Sequence, residues 1–123
     1  MAEISIIEAN DRGIRVFVGG CIERGDGSSF RAMAHAHTMD DDPNKGWVCF
    51  RSAKRLFTPA GKPSRLLWHE IAHCLISGGH YHDATFVRML IHLEQPIPKE
   101  YRRRLQHARV YARKRYRKHN RRG

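Results

Sequence analysis

The sequence predicts an α+β fold: a small N-terminal antiparallel sheet, then an HExxH helix, a second helix and a basic C-terminal helix. Three observations predict it. Short β-branched and aromatic runs between turn formers occupy residues 4–51, apolar residues at helical spacing take over from Leu67 onward, and the net positive charge falls in the last segment.

In chain order, Ile4–Glu8 and Ile14–Val18 flank the turn formers Ala9–Gly13 and predict a β-hairpin. After a turn at Gly25–Ser29, Phe30–Thr38 alternates as a third strand, although its alanines also permit helix. Strand alternation would put His35 and His37 on one face, a pair able to bind metal; with no carboxylate or cysteine nearby in sequence to complete a site, they read as an ordinary half-exposed strand face. Met39–Gly46 is an acidic loop punctuated by Pro and Gly, and Trp47–Arg51 reads as a strand. Residues 52–62 lead to the next helix.

That helix carries His69-Glu70-Ile71-Ala72-His73, the pattern HExxH. Residues four apart on a helix share a face, so His69 and His73 can offer imidazole nitrogens to one zinc ion. Glu70 is offset by one position, outside the ligand set but within reach of a water bound there, as a general base requires. Leu67, Ile71, Cys74 and Leu75 form the opposite, apolar face. Ser64 after Pro63 is the expected N-cap, and Ser77-Gly78-Gly79 the expected stop. Beyond the turn, His80, Tyr81, His82 and Asp83 can bring a third imidazole back over the pair. Three protein ligands would leave an open position for water or substrate.

Asp83 is a natural N-cap for the following helix, in which Phe86, Met89, Leu90 and Leu93 recur at helical spacing and which Pro96 ends. His92 reads as a structural or solvent-facing histidine. After Pro96-Ile97-Pro98, the residues Tyr101, Leu105, Ala108, Ala112 and Tyr116 mark a third helix with a narrow apolar stripe.

The 123 residues suit one domain with a modest core. The net charge of +11 is local: residues 1–98 hold eleven Lys and Arg against eleven Asp and Glu, while residues 99–123 hold twelve against Glu100 alone. This divides the chain into a compact metal-binding body, 1–98, and a cationic helix or tail, 99–123. The tail suits DNA or RNA, contacted through Arg102, Arg103, Arg104, Arg109, Arg113, Lys114, Arg115, Arg117 and Lys118. Neither a secretory leader nor a membrane span is expected, which points to the cytoplasm with no membrane partner. Cys21, Cys49 and Cys74 form no CxxC pair and read as reduced thiols, Cys74 as a small apolar residue of its helix.

HEIAH followed shortly by HDATF is similar to the SprT-like and WLM families of zinc peptidases, which act on DNA-bound proteins; the likeness covers about residues 64–94. It implies a zincin-like metallopeptidase with Zn2+ as cofactor, His69, His73 and His82 as ligands, Glu70 as base and Phe86 as core anchor of the following helix. It also implies an exposed strand that holds the peptide substrate as an added strand, for which Trp47–Arg51 is the expectation. Local order favours His82 over His80 as third ligand, because His82 adjoins a capped helix whereas His80 follows two glycines. His80 and Tyr81, with Asp83, are candidates for stabilising the transition state or positioning the site.

Two other readings compete. A metal-dependent nuclease of the YbeY type also uses three histidines on a helix and turn, but its helix reads HGxxH and lacks the glutamate. A non-enzymatic basic component of a ribosome or virion, with a vestigial or structural zinc site, would explain the tail alone.

Overall fold

The computed structural model describes residues 1–21, 33–76 and 82–103. The chain divides into two compact units, Met1–His80 and Tyr81–Gly123. The architecture is α+β, as the sequence predicts.

The first unit is built on a four-stranded sheet: β1 (Ala2–Ile4), β2 (Arg15–Val18), β3 (Ala34–Ala36) and β4 (Trp47–Phe50), in the order β1-β2-β4-β3. It is mixed where an antiparallel sheet was expected. β1 is antiparallel to β2 and β3 to β4, but β2 and β4 run parallel, with Val16 opposite Val48 and Phe17 opposite Cys49. The reason lies in β4. Val48, Cys49 and Phe50 are all buried, and a strand apolar on both faces belongs in the interior of a sheet, so β4 inserts between β2 and β3.

The first two strands pair antiparallel as expected of a hairpin, but the strand expected at Ile4–Glu8 and the turn after it are corrected. β1 ends at Ile4, and a short helix, α1 (Ile7–Asn10), leads to β2. Strand alternation would have split Ile6 and Ala9 between faces; the helical turn buries both, with Ile6 carbonyl accepting from the N–H groups of Ala9 and Asn10 at 3.1 and 2.8 Å. Gly13 at φ +75° then turns the chain into β2, in a region that disfavours residues with a Cβ.

α2 (Arg65–Leu75) carries the HExxH pattern and packs on β3 and β4. Its N-cap is Ser64, whose hydroxyl accepts from Leu67 N–H at 3.1 Å, a contribution of about 1 kcal/mol. Leu67, Ile71 and Ala72 are fully buried, Cys74 and Leu75 partly so. The glycine stop predicted at Ser77–Gly79 lies outside the described residues.

In the second unit α3 (Ala84–His92) starts at the predicted cap, with Asp83 Oδ1 accepting from Phe86 N–H at 3.1 Å. Phe86, Val87 and Leu90 are buried, and His92 is exposed. The helix stops ahead of Pro96. Glu94 adopts φ +58°, and Glu94 and Gln95 N–H return to the carbonyls of Ile91 and Leu90 at 2.9 Å each, satisfying the last turn. Residues 99–103 are helical, the start of the predicted third helix; the rest of its stripe lies outside the described residues. Among the described residues no helix is long and apolar enough to cross a membrane.

Candidate metal centre

The helical spacing of His69 and His73 has the consequence expected of it. Their Nε2 atoms lie 3.2 Å apart, with the rings edge to face at 4.9 Å between centroids. Two nitrogens bound at about 2.0–2.1 Å to one tetrahedral zinc stand roughly 3.3 Å apart, so the pair fits as half of such a site. The fit follows from the cap and the core face: Ser64 fixes the start of α2, while Leu67 and Ile71 fix its rotation.

Glu70, between the two histidines, is 8 % exposed, and burial pushes its carboxyl up to about 7. In the metal-free chain the fold then holds a proton that the unfolded chain, titrating near 4.5, has released. Stability from this source is complete below about 4.5 and falls as pH rises through about 7, by roughly 3 kcal/mol over the window. Melts of chelator-treated protein at pH 5 and 8 should show the loss in the wild type, and Glu70→Gln should abolish most of it. An unchanged pH dependence in that variant would assign the effect to other groups.

Cys74, on the same helix, has its thiol pushed up to about 12 by burial first, then by Glu70 and Cys49. It is held as a neutral thiol, in keeping with its reading as a small apolar residue.

The remaining predicted residues are placed as follows. His82 belongs to the second unit, its ring stacked on Tyr101 at 4.9 Å and 18° and edge-on to Phe86 at 5.0 Å. Asp83 serves as the cap of α3. His80 and Tyr81 lie outside the described residues. Of the cationic set, Arg102 and Arg103 are exposed, while Arg104, Arg109, Arg113, Lys114, Arg115, Arg117 and Lys118 lie outside the described residues.

The expected substrate strand is corrected. Trp47–Phe50 is interior, with both edges paired, so an added strand has no room beside it. The edge strand beside α2 is β3. Its neighbours Met33 and His37 bond to β4, through Arg51 N–H to Met33 O and His37 N–H to Trp47 O, so alternation turns the backbone groups of Ala34 and Ala36 toward the outer edge.

A second group of ligand-type side chains emerges that the sequence did not reveal. Cys21, His35 and His37 each offer a ligand atom within 4.8 Å of the others. His37 is buried, with Nδ1 2.8 Å from Asp42 Oδ2, and Asn44 N–H, with His37, holds the Asp42 carboxyl below the usual range. The shared face of His35 and His37 was legible from their spacing; Cys21, sixteen residues before His37, was not. The described residues thus hold His and Cys groups able to bind a metal ion.

An open concavity of about 370 Å3 lies at the end of β4, lined by Met33, Phe50, Arg51, Ser52, Lys54 and Arg55. It contains none of the predicted catalytic or metal-binding residues. Compared with protein-family models, curated proteins and solved structures, the chain matches none.

Proposed function

We propose that the chain is a small zinc-dependent peptidase that works near nucleic acid, akin to the SprT-like and WLM peptidases that HEIAH and HDATF resemble. The observation that supports it best is the 3.2 Å pairing of His69 and His73 nitrogens, with the buried Glu70 beside them, on a helix packed against the edge strand β3. His82 is the proposed third ligand. Zinc, when bound, would supply Lewis acidity and a water acidified toward about 7. Glu70 would take the proton of the attacking water and return it to the leaving amine. The outer edge of β3 would align an extended peptide through backbone hydrogen bonds, and the alanines at 34 and 36 would let it approach closely.

Cleavage of casein or a labelled peptide by the full chain, lost with chelator and restored by zinc, is the expected result. Hydrolysis of RNA in place of peptide under the same conditions would favour a nuclease.

The tail is proposed to hold DNA or RNA. Removing residues 99–123 would be an ambiguous test, because Tyr101 stacks on His82 and meets Phe86 edge-on at 6.0 Å. Reversing the charge of Arg113, Lys114, Arg115 and Arg117 leaves that stack in place. The variant should bind duplex DNA at least about tenfold more weakly, with a shallower salt dependence, each neutralised phosphate contributing a log-log slope of about −0.9. Unchanged affinity would move the interface to the neutral body.

A further inference from the structure

We infer that Cys21, His35, His37 and Cys49 form a second, structural metal site that holds one zinc ion within the sheet. The inference is independent of the peptidase reading, since it uses none of the same residues.

The cluster is assembled from separate segments: Cys21 follows β2, His35 lies on β3, His37 just after it, and Cys49 on β4 directly opposite His35 in the strand register. Cys21, His37 and Cys49 are all buried. The geometry turns on His37. Its Nδ1 is engaged by Asp42, whose other oxygen accepts from Asn44 N–H at 2.8 Å, so the ring is fixed with Nε2 pointing the other way. Nε2 meets two sulfurs there, Cys21 Sγ at 3.4 Å and Cys49 Sγ at 3.7 Å.

With Nδ1–H donated to the carboxylate, Nε2 turns its one lone pair toward both sulfurs, and a cation seated among the three atoms would be bound by all of them. In a tetrahedral site with Zn–S about 2.3 Å and Zn–N about 2.0–2.1 Å, sulfur and nitrogen stand roughly 3.6 Å apart, between the two observed distances. A carboxylate on the far nitrogen of a liganding histidine is the usual arrangement for fixing its ring and raising its basicity. Mixed thiolate and imidazole donors select zinc over magnesium or calcium. On one side Cys21 and Cys49 pack with Phe17, against which Trp47 closes, so the surroundings are apolar. With Cys49, 3.7 Å from His37 Nε2, as fourth donor to the Cys21, His35 and His37 group, no position would stay open, which makes the proposed site structural. It would tie β3 and β4 to the segment after β2, where the strands are only three or four residues long.

The test uses the full chain, reduced, stripped of metal and reloaded with Co2+ or Zn2+ alone. Cobalt bound by cysteine shows thiolate-to-metal charge-transfer absorption in the near ultraviolet, which a site of histidines lacks. That absorption is expected in the wild type, and unchanged in the His69→Ala/His73→Ala double variant and in Cys74→Ser. It should be weakened in Cys21→Ser and in Cys49→Ser. The His69→Ala/His73→Ala variant should still retain roughly one equivalent of zinc per chain. Absence of thiolate absorption in the wild type would overturn the inference whatever the variants do, as would absorption that survives loss of Cys21 and Cys49 together. Loss of peptide cleavage with the thiolate signal intact would count against the peptidase reading alone.

Discussion

Glu70→Gln is expected to keep its zinc and lose peptide hydrolysis by about 10²- to 10⁴-fold, the range that a positioned general base contributes. The amide has the shape of the carboxyl but cannot take a proton. The structure makes this substitution a clean one. Glu70 is buried on α2 beside Leu67, Ile71 and Ala72, and a neutral amide is easier to bury there than a carboxylate, so the fold should not suffer. Metal content and melting temperature of the variant therefore serve as internal controls: metal content should hold and melting temperature should not fall, while turnover does. Hydrolysis at the wild-type rate in a zinc-loaded Glu70→Gln chain would remove Glu70 as the base and, with it, the chief reason for preferring a peptidase to a nuclease.

The parts of the fold legible in the sequence are those set by contacts within one turn of chain. Ser64 and Asp83 bond to the N–H three residues on, and His69 meets His73 four residues on, so each could be read from spacing alone. The features that depart from the sequence pattern depend on partners distant in sequence. Residues 4–10 carry Ile4, Ile6, Ile7 and Ala9, a pattern compatible with either period, and only burial of Ile6 and Ala9 together selects the helical turn. The interior place of β4 did have a sequence signal, the unbroken apolar run Trp47-Val48-Cys49-Phe50, which contrasts with the edge strand β1, where Ala2 and Glu3 are exposed. The same run argues against β4 as the strand that meets substrate. The Cys21 and His37 contact has no such signal, since it depends on where two strands lie in the sheet.

His82→Ala should lose most of the zinc bound by the HExxH pair and all hydrolysis, whereas His80→Ala should keep the metal and lose at most catalytic rate. Both residues are imidazoles at the same turn, so the difference must come from how each is held. His82 stands between two rings of its own unit, stacked on Tyr101 and edge-on to Phe86, and its neighbour Asp83 caps α3. A side chain so restrained has less rotamer freedom left to lose when it takes a metal, and immobilising a free one costs on the order of 1 kcal/mol. His80 follows two glycines and has no such cap adjoining it in sequence. The stack supplies a graded control. Tyr101→Phe keeps the ring and should leave zinc affinity near wild type, while Tyr101→Ala should weaken it by about tenfold or more, within the range for a group that orients a metal ligand. Since the thiolate site contributes a separate equivalent, the measurement has to be zinc competition on chains carrying Cys21→Ser and Cys49→Ser, or cobalt spectra in which the two sites are resolved. A metal-free His80→Ala chain beside a metallated His82→Ala chain would reverse the assignment and make His80 the third ligand.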